Sequence, residues 1–443
     1  MTDLIYPTLD LFSYTLIKGL GFTLDQIPVN YQQFWDKLPQ HLQQSISKLD
    51  TIKHSDTQIS FHGELENYQV DGTYKYWIIE DTKAFLFDHS ATNPDVKVLT
   101  NCLPKLKNLL PNLPLTELTL GQTWMISGLV NSSKDDELEQ LAQKLYKDIF
   151  NQDGQPQRVG KLVRGTVFEV WNPTKLDENI HVLIMLYPDE QAMRDAGKLY
   201  QNWRDLLCYR HKIRYAYTYS RKLKEQLQAD FNRVVPHWQN CSQSDLGELK
   251  LALDTNLQSL ASYGMNLNLL AIQNPGLITN LGNYQSHLTS LQDKANKMAA
   301  TDLNFLNEFS DIAERQYQKQ ITQDLASFTP GLEVLKGITD TIRGIVEIEQ
   351  AKRDRQFQTI VGVAGMGIAT ASLVASVSGE VPREMKQYPP INTLISPFHL
   401  TDAVATSLVA FSLSIILGGV SSFVTWIIIR IGYLRSRPPH PKK

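Results

Sequence analysis

The sequence predicts an α+β/α-helical membrane protein: an N-terminal α/β cytoplasmic domain, a long helical stalk and two C-terminal transmembrane helices. Three observations predict it. Two long uncharged runs, Phe357 to Ser378 and Ala403 to Ile429, lie near the end of a 443-residue chain. Strand and helix patterns mix before Pro188, and helical patterns alone follow it. No proline interrupts Leu332 to Ser378, so a stalk helix is expected to run into the first uncharged segment.

The first segment, residues 1–188, reads as the α/β domain. Tyr74–Glu80 and Ala84–Phe87 flank the turn-like Asp81-Thr82-Lys83 and predict a hairpin. Leu118–Ser127, Thr166–Trp171 and His181–Leu186 are further strands, rich in β-branched and aromatic residues. Between them Leu138, Leu141, Leu145 and Ile149 repeat every three to four residues. That spacing predicts a helix, with Ser133 and Asp136 as a capping-box-like start.

Residues 189–330 read as a helical region. Met193, Ala196, Tyr200, Trp203 and Leu207 form one stripe, and Leu246, Leu249, Leu253, Leu257 and Leu260 a second. Leu303, Leu306, Ile312 and Ala313 begin a third. Pro236, Pro275-Gly276 and Pro330-Gly331 are expected to punctuate these helices. The stalk, 331–356, carries Leu335, Ile338, Ile342 and Ile345 at steps of 3, 4 and 3, a short coiled-coil seam. Its partner is either the same helix of a neighbouring subunit or another helix of this chain. Gly337 and Gly344 weaken a rigid rod.

Each uncharged run is long enough to span a bilayer, since about 20 helical residues cross the ~30 Å hydrocarbon layer. The expected spans are 357–378 and 403–429, joined by an outer loop, 379–402, and followed by a basic tail, 430–443. Lys352, Arg353 and Arg355 precede the first run, and Arg430, Arg435, Arg437, Lys442 and Lys443 follow the second. This asymmetry places both termini on the cytoplasmic side of a multi-pass protein of the cell inner or plasma membrane. Gly367, Ala371, Ala375 and Gly379 recur every four residues, a stripe suited to close helix packing or, with Thr370, to lining a pore. Glu380 and Glu384 would form an acidic pore mouth if several chains surround an axis. The alternative makes them loop solubilisers.

Composition narrows the function. A net charge of −3 argues against a nucleic-acid partner. Cys102, Cys208 and Cys241 are odd in number and far apart, neither a disulfide framework nor a metal cluster. The N-terminus lacks a basic start followed by an apolar core, so no secretory signal is expected. No phosphate-binding glycine loop or catalytic constellation stands out, so neither an enzyme nor a cofactor is expected. The ten histidines are scattered; His54, His62, His89 and His181 read as surface or satisfied core residues. The densest basic stretch holds Arg210, Lys212, Arg214, Arg221 and Lys222, interleaved with Tyr209, Tyr215, Tyr217 and Tyr219. It would bind an anionic ligand such as a nucleotide or anionic lipid, or else form a solvated helix face.

With the stalk entering the first run, Glu349 to Arg355 before it and Arg430 to Lys443 behind the second, the architecture resembles the CorA-like divalent cation channels. The resemblance implies a homo-oligomer, a pentamer in that family, embedded in the lipid bilayer, with a pore-lining first span and a divalent cation as cargo; the metal itself is left unknown. The family's Gly-Met-Asn filter is missing, because Ser376 to Pro382 occupies its place. Tyr263-Gly264-Met265-Asn266 falls about 100 residues too early, on a helical stripe where Gly264 reads as a helix stop. The expected function is an oligomeric ion channel or transporter with a cytoplasmic regulatory domain. The alternative is a membrane-anchored sensor or effector whose cytoplasmic domain binds a nucleotide or protein.

Overall fold

Among the described residues eight strands build one sheet: β1 (Leu4–Leu16), β2 (Thr57–Leu65), β3 (Tyr68–Ile79), β4 (Thr82–Ala91), β5 (Thr119–Val130), β6 (Gln157–Leu162), β7 (Gly165–Val170) and β8 (Ile180–Tyr187). The computed structural model describes residues 4–17, 57–65, 68–91, 102–110, 119–152, 154–171, 180–240, 244–377 and 415–428. The strand order is β2-β3-β4-β1-β5-β8-β7-β6. Among the described strands only the β5–β8 pair is parallel. A parallel pair needs a long crossover, and here it contains a helix and the β6–β7 hairpin.

Side-chain alternation sorts the sheet into two buried faces. On one face Leu9, Leu11, Phe87, Trp124, Ile126, Ile184 and Phe168 pack against α1 (Leu103–Leu109) and α2 (Asp135–Phe150). Leu138, Leu141, Leu145 and Ile149 all point into this core. The cap of α2 differs from expectation. Lys134 is the N-cap with no side-chain cap bond, and Ser132 accepts from the Lys134 N–H instead. Asp135, Asp136 and Glu137 supply negative charge to the first turn, a favourable arrangement at the positive end of the helix dipole.

The other face meets α3 (Glu190–Gly197) and α4 (Tyr200–Asn240). Tyr14 donates to the Arg204 carbonyl at 2.8 Å, and the Phe12 and Tyr200 rings stack at 6.2 Å. Next come α5 (Leu246–Met298), α6 (Asn304–Ile312), a π-helical turn (Ala313–Gln318) and α7 (Lys319–Val377). The segment joining α5 to α6 closes the β6 edge: Lys161 and Asp302 exchange backbone hydrogen bonds of 2.8 and 2.7 Å. The β6–β7 turn holds Val163 and Arg164 in left-handed conformations, φ 48° and 69°. Their N–H groups are engaged by Thr301 Oγ1 and the Ala300 carbonyl.

The prolines expected to end helices lie inside them: Pro236 in α4, Pro275 in α5 and Pro330 in α7. Gly264 likewise sits inside α5. Near Pro330, Tyr263 donates to the Phe328 carbonyl at 2.7 Å and lies over Gly331. Packing of this kind overrides the local preference against a helix.

The chain divides into two compact units, Met1–Pro236 with Thr255–Gly337, and His237–Asp254 with Ile338–Lys443. The first holds the sheet, and α7 contributes residues to both. Within the second unit the seam residues Ile338, Ile342 and Ile345 pack with Val346 against Leu246, Leu249 and Leu253 of α5. In that stretch the stalk finds its helical partner in its own chain.

The membrane expectations are corrected. Among the described residues no helix is long and apolar enough to cross a membrane. The spans 357–378 and 403–429, the multi-pass inner- or plasma-membrane localisation and the transmembrane, bilayer and metal-ion-transport readings fall with that finding. Of the second run the structure describes residues 415–428, which are helical. In α7 the charged Lys352, Arg353, Asp354 and Arg355 stand immediately before the apolar end. Gly367, Thr370, Ala371 and Ala375 lie on α7. Gly379, Glu380, Glu384, the outer loop and the basic tail lie outside the described residues.

Candidate functional site

Helix α4 carries the site because its inward stripe changes chemistry along its length. Trp203, Leu207, Arg210 and Arg214 step by 4, 3 and 4, so they share one helical face. The first two are buried apolar residues, and the next two are arginines buried just as deeply, 1% exposed each. Two of the five residues of the basic stretch, Arg210 and Arg214, therefore point into the protein.

The structure separates the five basic candidates. Arg210 and Arg214 come together one turn apart. Lys212 is buried too, but pairs elsewhere, 2.7 Å from Asp81 Oδ1 and 3.0 Å from Glu80 Oε2. Burial alone would lower its pKa, yet the hydrogen bonds to Asp81 and Glu80 outweigh burial and leave it raised. Arg221 is ion-paired with Asp324, which Lys224 also reaches at 3.1 Å. Lys222 is exposed. The five do not form one open basic surface.

Around Arg210 the walls are aromatic. Its guanidinium carbon lies 4.8 Å from the Trp171 ring centroid and 4.8 Å from that of Phe309, while that of Arg214 is 5.8 Å from Trp171. Such faces compensate part of the cost of burying a cation. Tyr284 stacks at a tilt on Phe309, and Tyr317, held in the π-helical turn, stacks on Tyr217 at 4.0 Å. π-helical turns recur at functional sites because they re-aim side chains within a helix.

Glu169 on β7 stands 3.5 Å from Arg210 Nη2, and its same oxygen accepts from His181 Nε2 at 2.8 Å. From there a hydrogen-bonded chain crosses the sheet: His181 Nδ1 to Thr123 Oγ1, 3.2 Å, and Thr123 Oγ1 to His211 Nε2, 2.8 Å. Burial, then the charge of Arg210, holds both histidines far below their ordinary pKa, so both are neutral. The chain is consistent with His211 Nε2–H donating to Thr123, whose hydroxyl donates to His181 Nδ1. His181 is thus a satisfied core residue, as its sequence context suggests.

Charge in this region is unbalanced. Burial lowers the pKa of both arginines, Arg214 to about 10 through burial and then the neighbouring Arg210. Burial raises that of Glu169, against the pull of Arg210. Two guanidiniums thus face one carboxylate and two neutral imidazoles. This arrangement can hold an anion; it offers no activated nucleophile. The Cys102 and Cys208 thiols are buried and pushed up to about 12, chiefly by burial, which makes them inert at neutral pH. Among the described residues no group of three or more His, Cys, Asp or Glu could hold a metal ion.

Sequence reasoning missed Glu169, Trp171, Thr123 and Phe309 as neighbours of the arginines. Their only sequence signal lay in the inward periodicity of Arg210 and Arg214. No family model matches the chain, and no curated protein matches its sequence.

Proposed function

We propose that the protein is a homo-oligomeric sensor or effector. Its sheet-and-helix body takes a ligand, and α7 carries the response into an apolar helical module through which copies of the chain associate. One observation carries this reading. Beyond Val346, α7 keeps its helix but loses its cover: Ile348, Phe357, Ile360 and Val361 are exposed, Phe357 at 68%. The helix of residues 415–428 exposes Ile416, Phe423 and Ile428 in the same way, and its Ser422 hydroxyl donates to the Val363 carbonyl at 3.3 Å. Apolar patches of this extent mark interaction surfaces in water. A second copy is the partner that presents the same surface in return.

The order of a mixed-sheet body followed by the long α7 is the part of the CorA-like architecture that this reading keeps. Ion conduction would need membrane spans, which no described helix provides, so it is no part of the reading.

Light-scattering measurement of the full chain tests it. The expected mass is a multiple of 50.3 kDa. The substitutions Ile360→Lys and Phe423→Lys together should shift the mass towards the monomer while circular dichroism stays unchanged. A monomeric wild type overturns the reading. So does a wild type that attaches to phosphatidylcholine vesicles without self-association.

A further inference from the structure

We propose that the cluster around Arg210 and Trp171 binds a phosphate-type oxyanion, either inorganic phosphate or the phosphoryl group of a nucleotide. This rests on the sensor reading above and names its ligand class. Three buried N–H atoms in this neighbourhood have no hydrogen-bond partner: Arg210 Nε, Arg210 Nη2 and Trp171 Nε1. Buried polar atoms without partners are rare in folded proteins, and each implies a water, an ion or a ligand.

The chemistry selects among these. All three unmet atoms are donors, and neither a guanidinium nor an indole N–H can accept. A water placed among them would accept from two and then lack acceptors for its own hydrogens. An oxyanion supplies acceptors alone. The nearest carboxylate does not fill this role: Glu169 Oε1 lies 3.5 Å from Arg210 Nη2 without hydrogen-bond geometry.

Charge points the same way. Arg210 and Arg214 exceed the single Glu169 carboxylate by one, and His181 and His211 add no negative charge. The Trp171 and Phe309 rings, edge-on to one another at 5.5 Å, both lie 4.8 Å from the Arg210 guanidinium carbon and so wall one side of it; its Nε and Nη2 donors remain unmet. Arginine with an edge free is the side chain suited to planar or tetrahedral oxyanions. Trp171 and Glu169 are the partly exposed members of the cluster, while Arg210, Arg214 and Phe309 are buried.

Isothermal titration calorimetry of the full chain with inorganic phosphate, and separately with ADP, tests the site. Saturable binding of at least one is expected; the tighter arm identifies the source of the phosphate. Arg210→Gln should weaken that binding about 10-fold or more, as the loss of a charge-assisted contact does. Trp171→Phe keeps the aromatic wall and removes one N–H, and should weaken it about 3- to 10-fold. If Arg210→Gln does not fold, Trp171→Phe decides. No saturable heat with either anion overturns the proposal, and so does binding that both variants leave unchanged. Light scattering with and without phosphate keeps the two readings apart. Binding with no change in assembly retains the site and removes the coupling to α7. An intact oligomer that binds neither anion removes the site alone.

Discussion

The Tyr200 hydroxyl donates a 2.5 Å hydrogen bond to Oδ2 of Asp10, an aspartate with no exposed surface. Asp10 sits on β1 directly opposite Asp88 on β4, so two carboxyls share one small region of the sheet. Burial first, then the charge of Asp88, raises the Asp10 pKa well above the usual range. Burial raises Asp88 to about 6.

The sign of the pH effect follows. Both carboxyls bind protons more tightly folded than unfolded, so they stabilise the fold as pH falls through about 6 towards the unfolded value. They cost stability as pH rises through that window. Asp88→Asn should therefore raise stability at pH 8 by roughly 1–2 kcal/mol, and the gain should vanish near pH 4. Thermal unfolding at pH 4, 6 and 8 measures it. A difference independent of pH would show that Asp88 does not titrate in this window.

Thr123 is the link between two buried histidines. Thr123→Val keeps the shape and removes the hydroxyl, leaving His181 Nδ1 and His211 Nε2 without their partner. The expected cost is about 1–3 kcal/mol, read by urea denaturation. Thr123→Ser should recover most of it.

Gly331 lies beneath Tyr263. A Cβ added there would sit 2.3 Å from the Tyr263 hydroxyl oxygen. Gly331→Ala should destabilise the protein by about 1–3 kcal/mol. Tyr263→Phe should relieve part of that loss, so the double variant should be less damaged than the two single effects added together. A strictly additive double-mutant cycle would show that the two residues are not in conflict.

Gly160 has a similar role at the sheet edge. A Cβ there would meet the Asp302 carbonyl oxygen at 2.2 Å, the acceptor for the Lys161 N–H. Gly160→Ala should pry the two segments apart, at roughly 1–3 kcal/mol. Hydrogen exchange should quicken at the Lys161 and Asp302 amides and stay unchanged in α2.

Strands and helices with one clear periodicity were legible. The α2 stripe Leu138, Leu141, Leu145 and Ile149 is buried as its spacing implies. The hairpin of β3 and β4 is present, with its turn at Glu80-Asp81. β1 was harder to see, because a central strand buried on both faces carries Asp10 and Thr8 inside, and Pro7 beside a register irregularity. The prolines misled for a different reason. Their helix-breaking cost is local, whereas the contact beside Pro330, the Tyr263 hydroxyl on the Phe328 carbonyl, comes from a residue distant in sequence.

The sequence by itself determined where apolar periodicity lies: the α2 face, the inward stripe of α4, the seam of α7 and the two uncharged runs near the end. These are properties of neighbours along the chain, which helical and strand geometry convert directly into faces. Tertiary structure decided what each face meets. It turned Arg210 and Arg214 inward, paired Lys212 with Glu80 and Asp81, and set Arg210 against Trp171 and Phe309. It also packed part of the α7 seam on α5 of the same chain. The physical reason is that the cost of burying a charge depends on partners brought together by folding, and spacing along one helix does not specify them.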